Sequence, residues 1–280
     1  MSTIIALARE QVRWREDSGS ATVSRSDPIP GPADHFRWRS ASCSHVGTVR
    51  KVNEDACLER PDIGLWVVAD GMGGHRAGDV ASETVVESLR GAVNPVSRES
   101  LLLDLQQRLK SSHERLQRLA AESPDRGVIG TTVAVLVGYQ RQAICLWVGD
   151  SRIYLCRDRQ FRQLTRDHSQ VEELVKLGLL DREEAESHPA SNVITRAVGA
   201  TDDLKIDMIS GDLHDGDIYL ICSDGLNKEV PDAEIGQILQ SGSCEDSARA
   251  LIDRALDYGA RDNVTAIVVQ VVEQDGSPAY

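Results

Sequence analysis

Three apolar runs, residues 132–137, 143–148 and 152–156, follow one another with only a few residues between them. Parallel neighbours in a sheet need a crossover of about a dozen residues or more, so runs this close together cannot be stacked in parallel. Further strand-like runs, several rich in β-branched residues, lie at 65–69, 217–222 and 264–272. Between them the spacing predicts helices. Ala81, Val85 and Leu89 recur every four residues behind a candidate Asp79 cap, and Leu101, Leu105 and Leu109 do the same in the longest helical stretch. Residues 171–177 carry Val171, Leu174 and Val175 and stop at Gly178, and residues 245–258 carry Ala248, Leu251, Ile252 and Ala255 and stop at Gly259. The expected class is α+β with antiparallel sheet.

At 280 residues, 41% hydrophobic but only 4% aromatic, the chain can bury a large and mainly aliphatic core. Its 44 acidic against 31 basic residues give a net charge of −13, which argues against a groove for a phosphate backbone, so no nucleic-acid partner is expected. No apolar run approaches the roughly 18 residues of a membrane span, and the apolar residues 4–8 are broken at once by Arg9 and Glu10. Six cysteines without a C-x-x-C pair read as reduced thiols, and a cytoplasmic location is expected. Residues 1–35 form an extension: a short helix is expected near 4–15, then a Ser-, Pro- and Gly-rich tail with Pro28, Pro30 and Pro32. The main domain is expected at 36–275, without internal repeats, and with a polar, partly helical excursion at 167–201 lying over one edge.

Aspartates fall where the strands end. Asp70 follows 65–69, Asp150 ends 144–149, Asp224 follows 218–223, and Asp262 with Asn263 precedes 264–272; Asn53-Glu54-Asp55 adds a fifth acidic site. Aspartate is common in turns for local reasons. Five such sites, each beside a residue that brings backbone close, are better explained by convergence. Converging carboxylates must be neutralised, and oxygen ligands without Cys or His point to Mg²⁺ or Mn²⁺ rather than zinc. Several carboxylates can hold two such ions about 3.5–4 Å apart, sharing a water whose pKa falls from about 15.7 towards about 7. The reaction best served is in-line displacement at phosphorus. Arg50, five residues before Asp55, offers a planar fork for two phosphate oxygens, although read alone it is first of all a surface arginine beside Lys51.

Arg50-Lys51-Val52-Asn53-Glu54-Asp55, Val68-Ala69-Asp70-Gly71-Met72-Gly73-Gly74-His75, Gly130-Thr131-Thr132, Gly149-Asp150-Ser151-Arg152, Cys222-Ser223-Asp224-Gly225 and Arg261-Asp262-Asn263-Val264-Thr265 together resemble, in order and spacing, the motifs of the bacterial metal-dependent (PPM, type 2C) serine/threonine protein phosphatases. The resemblance covers about residues 38–272, and Asp167-His168-Ser169, His188-Pro189 and residues 192–197 resemble the family's flap. It implies a four-layer αββα sandwich, two central antiparallel sheets flanked by helices, with the metals at one end. It also implies hydrolysis of phosphoserine and phosphothreonine by a water bridging two Mn²⁺ or Mg²⁺ ions, phosphorylated proteins as substrates, and a serine/threonine kinase as the opposing partner. A monomer is expected. By the resemblance, Asp55, Asp70, Asp224 and Asp262 hold the dinuclear pair directly or through water, and Gly71 offers its backbone carbonyl. Asp150 with Asp224 matches a third, weaker metal site, and Arg50 matches the phosphate-binding arginine. Arg50, Asp55 and Asp224 are the expected catalytic residues.

In the family's animal members the residue two after the metal-binding aspartate is a histidine proposed to protonate the leaving seryl oxygen. Here it is Met72, as is usual in bacterial relatives, and a thioether has no proton to give. His75 is a candidate acid, set against a structural or helix-start role for it and against metal-bound water as the donor. Two rival readings fit the sequence less well. A dinucleotide-binding enzyme is disfavoured because Arg76 stands where the third glycine of G-x-G-x-x-G belongs and no G-K-[ST] occurs. A catalytically weak relative that binds phosphoproteins as a regulator should lack metal-ligand acids, and none is missing.

Overall fold

The computed structural model describes residues 15–16, 36–73, 77–123 and 127–273, and within them the strands form two antiparallel sheets. The first sheet runs in the order β1 (Arg15–Glu16), β10 (Asp207–Asp212), β7 (Gln142–Val148), β6 (Val133–Tyr139), β4 (Leu65–Gly73) and β3 (Asp55–Arg60), with β5 (Ile129–Thr131) paired to the far part of β4. The second runs β2 (Phe36–His45), β12 (Val264–Glu273), β11 (Ile218–Cys222), β8 (Arg152–Arg157) and β9 (Gln160–Gln163).

Side chains alternate across each strand, and here both faces are covered. Leu65, Val67 and Ala69 of β4 pack with Val133, Val135 and Val137 against the helices α1 (Ala77–Arg90) and α2 (Arg98–Glu122). Trp66 and Val68, from the same strand, face Ile153, Tyr219, Ile221 and Ile267 of the second sheet. The outer face of that sheet, with Tyr154, Leu220 and Ala266, packs on α6 (Asp232–Leu239) and α7 (Cys244–Asp257). The result is the four-layer αββα sandwich. Burial on both faces also explains why the central strands read as unbroken apolar runs.

Edge strands are different. β2 buries one residue fully and alternates polar side chains outward, so its sequence carries no apolar run, and β3 and β9 are similarly mixed, as is β10, which is flanked on its outer side only by the two-residue β1. The three close runs are not parallel neighbours, as expected. Runs 132–137 and 143–148 do pair antiparallel, as β6 and β7, but 152–156 does not continue that sheet and enters the other one as β8. A short connection excludes parallel pairing without requiring pairing at all. Gly149 makes the crossing possible: its φ is +107°, and a Cβ there would lie 2.6 Å from the Thr132 side chain. Asp79 likewise lies inside the first turn of α1 rather than before it, and its carboxylate accepts from the Val80 amide at 2.8 Å.

The excursion at 167–201 contains α3 (Gln170–Lys176), α4 (Arg182–Ser187) and two isolated bridges, Thr131 to Val198 and Ser169 to Ile194. The expected helix near 4–15 and the tail at 17–35 lie outside the described residues, apart from Arg15, which with Glu16 pairs with β10. Among the described residues no helix is long and apolar enough to cross a membrane.

At the start of β11 the Asp217 carboxylate is fully buried and held bidentately by Arg157, with both N–H···O distances 2.6 Å, while the His214 amide donates to it at 2.9 Å. Removing one partner of such a pair leaves a buried charge without compensation. Asp217→Ala is therefore expected to lower the unfolding free energy by about 3–5 kcal/mol, read as a lower urea midpoint, and adding Arg157→Met should recover much of the loss.

Candidate active site

Strand ends from both sheets meet at one end of the sandwich. Asp55 opens β3 and stands directly opposite Asp70 of β4 in the antiparallel register. Like charges in that position repel at close range. Both keep a little accessible surface but are packed by protein on nearly every side. Burial, reinforced by the charges of Asp55, Asp224, Asp150 and Asp262, pushes the Asp70 carboxyl well above the usual carboxylate range. Burial also pushes Asp55 up to about 7, against hydrogen bonds from Thr265 and Ser223 that favour its anion.

Those two hydroxyls come from the other sheet. Ser223, just past β11, donates to Asp55 Oδ2 at 2.8 Å, and Thr265 of β12 donates to the same oxygen at 2.6 Å. The Thr265 amide in turn donates to Ser223 Oγ at 2.9 Å. Asp55 Oδ1 is buried and has no hydrogen-bond partner. Asp224 begins α5 (Asp224–Asn227), and Lys228 follows as that helix's C-cap.

Gly71 is squeezed between two backbones: its amide donates to the Glu54 carbonyl at 3.1 Å, and a Cβ would lie 2.0 Å from the Gly78 carbonyl oxygen. Any side chain there would push β3, β4 and α1 apart. Arg50 lies on a loop fixed by Asn263, which accepts from the Glu54 amide at 2.8 Å and donates to the carbonyls of Val46 and Val52, each at 3.0 Å. The half-exposed Arg50 guanidinium donates to Asp262 Oδ2 at 2.8 Å.

Asp150 is buried at the sheet crossing, and burial with the neighbouring Asp224 charge pushes its pKa up to about 7 against the opposing pull of Lys228. Next to it Ser151 Oγ and Thr132 Oγ1 share a hydrogen bond of 2.7 Å, and Thr132 Oγ1 accepts from the Asp70 amide at 3.1 Å. The excursion is tied to the same loop. His168 Nδ1 accepts from the Gly149 amide at 3.1 Å, so the neutral ring carries its proton on Nε2, 3.2 Å from Asp207 Oδ2. Asp207, held below the usual carboxylate range by that histidine, also takes Arg196 Nη1 at 2.8 Å.

The structure thus brings together Arg50, Asp55, Asp70, Gly71, Asp150, Asp224 and Asp262. His75 lies outside the described residues. Ser223, Thr265, Asn263, Thr132 and Ser151 all sit inside the recognised motifs, but sequence reasoning gave them no role; Ser151, Ser223 and Asn263 directly adjoin an acid, whereas Thr132 and Thr265 carry no such signal. Lys228, four residues after Asp224, was not singled out.

The donor set suits hard cations: oxygen only, with an orphaned buried carboxylate oxygen and acids facing each other without a basic partner among the described residues. Also among the described residues, no three His, Cys, Asp or Glu side chains are drawn together into a closed cage. The two observations are compatible. Mg²⁺ keeps several waters and takes only one or two carboxylates directly, so its acids need not close on one another.

Residues 41–267 match the Protein phosphatase 2C family. The chain is 37% identical over 232 residues to the serine/threonine phosphatase stp of Listeria innocua, covering 80% of this chain and 92% of that protein. Among solved structures it resembles PppA, described as a key regulatory component of T6SS in Pseudomonas aeruginosa, at 42% identity and a TM-score of 0.77, with 84% of this chain and 98% of that one covered. It also resembles the catalytic domain of the serine/threonine protein phosphatase PstP, solved in complex with two manganese ions, at 34% identity and a TM-score of 0.77, covering 85% and 99%. Agreement over so much of the sequence, joined to the same sandwich, means that the chain belongs to the protein phosphatase 2C family.

Proposed function

We propose that the chain is a divalent-cation-dependent phosphatase that removes phosphate from phosphoserine and phosphothreonine in proteins and works against a serine/threonine kinase. The catalytic unit is 36–275, with 1–35 as an extension and 167–201 as a flap, and it acts as a cytoplasmic monomer. The observation that carries this reading is the face-to-face placement of Asp55 and Asp70, with an unpartnered Asp55 Oδ1. The names of the relatives, and the manganese ions in PstP, support it.

Asp55, Asp70, Asp224 and Asp262 would hold two Mn²⁺ or Mg²⁺ ions directly or through water, with the Gly71 carbonyl assisting; a third ion, if one binds, would need Asp150 beside Asp224. Such ions, when bound, would stabilise charge on phosphoryl oxygens and lower the pKa of a bound water towards about 7. Ser223 and Thr265 fix Asp55 through Oδ2 and leave Oδ1 free as a ligand atom. Arg50 spends one donor on Asp262 and keeps the rest of its five for a phosphate dianion. Met72 cannot supply the proton that the leaving seryl oxygen needs, which falls to water or to His75.

Purified protein is expected to hydrolyse p-nitrophenyl phosphate and phosphoserine or phosphothreonine peptides with Mn²⁺ or Mg²⁺, and to stop in EDTA. Turnover no higher than that of Asp224→Ala would remove the reading in favour of a phosphoprotein-binding relative. Arg50→Ala should raise KM for phosphopeptides about 10- to 100-fold, the worth of a charged hydrogen bond, with a smaller effect on kcat; an unchanged KM would exclude Arg50 from the site. Stability should also depend on pH in a definite sense. Asp55 and Asp150 hold their protons more tightly folded than unfolded, so metal-free protein loses stability as pH rises from about 4, the unfolded value, through about 7. Melting temperature in EDTA should fall across that window, and saturating Mn²⁺ should raise it more at pH 8 than at pH 5. A melting temperature independent of pH would contradict this electrostatic picture.

A further inference from the structure

The acids of the site differ in how they are compensated. Asp262 has Arg50. Asp55 has only hydroxyl donors, and no basic side chain among the described residues pairs with Asp70. Asp224 and Asp150 are served by Lys228, whose Nζ donates to Asp224 Oδ2 and lies 4.0 Å from Asp150 Oδ2.

Local structure forces this arrangement. α5 is one turn long, Lys228 is its C-cap, and the Lys228 amide donates to the Asp224 carbonyl at 3.0 Å. Residues four apart on a helix share a face, so the ammonium is delivered to the side of the acid. An ammonium is a compact point charge with three donors, enough to hydrogen-bond one carboxylate and approach a second. Asp150 with Asp224 is also the pair that would have to accommodate a third divalent cation.

We propose that Lys228 stands in for a third divalent cation between Asp150 and Asp224, so that divalent ions are required only on the Asp55–Asp70 side of the cluster. The inference rests on the metal-dependent reading given above. With Nζ on Asp224 Oδ2 and 4.0 Å from Asp150 Oδ2, the lysine places its positive charge in the space between the two carboxylates. A divalent ion entering between the two carboxylates would have to displace that charge or bind beside it, and Coulomb repulsion at about 4 Å opposes both.

The test is metal content rather than turnover. Full-length protein is dialysed to equilibrium against Mn²⁺ at neutral pH, and bound manganese is counted for the wild type, for Lys228→Met, which keeps the alkyl stem without the charge, and for Lys228→Gln, which carries the comparison should the methionine variant not fold. The expected result is two ions in the wild type and three in the uncharged variants, the added ion being the weakest, with Asp150→Asn on the Lys228→Met background returning the count to two. An equal number in the wild type and the uncharged variants would overturn the inference and leave the metal-dependent reading intact. Protein that binds no manganese in any form would overturn both.

Discussion

Two aspartates facing each other across an antiparallel strand pair cannot be neutral in their effect. Asp55 and Asp70 are directly opposed where protein has replaced most of their water, and no arginine or lysine among the described residues forms an ion pair with either. Much of the local architecture answers this constraint. Hydroxyls of Ser223 and Thr265 reach over from the other sheet to hold one oxygen of Asp55, and Thr132 receives the Asp70 amide. The arrangement is high in energy without cations, which is the state expected of a site built to bind them.

The sandwich supplies the rigidity that such a site needs. Because each central strand is buried on both faces, its ends cannot shift without disturbing two packed layers. Asp55 and Asp70 hang from one sheet, Asp224 and Asp262 flank strands of the other, and Asp150 sits where the chain passes between them. Asn263 does for the Arg50 loop what the strands do for the acids: with three hydrogen bonds it converts an otherwise irregular segment into a fixed platform.

Sequence reasoning reached the parts of this that leave a local trace. Runs such as 65–69 and 264–272 were legible because burial on two faces makes a strand uniformly apolar, and the acids were legible because each stands at the end of such a run. β2 and β3 were not, since an edge strand of mixed polarity resembles a loop, and neither was β10, equally mixed beside the two-residue β1. Connection length revealed that 143–148 and 152–156 are not parallel neighbours, but it carries no information on whether two strands share a sheet; that depends on the turn allowed by Gly149. Partners distant in sequence left no trace at all. That Thr265 serves Asp55, 210 residues earlier, follows only from the register of two sheets.

β12 has a further consequence. Among the described residues it is the last strand in sequence, yet it lies inside its sheet, between β2 and β11, and it carries Thr265. During synthesis the first sheet can be complete, with Asp55 already facing Asp70, while the groups that hold Asp55 have not yet been made. Neither the opposed carboxylates nor the Arg50 loop, which waits for Asn263, can reach their final geometry in a nascent chain that stops short of residue 265. The candidate centre is thus among the last parts of the fold that a growing chain can complete.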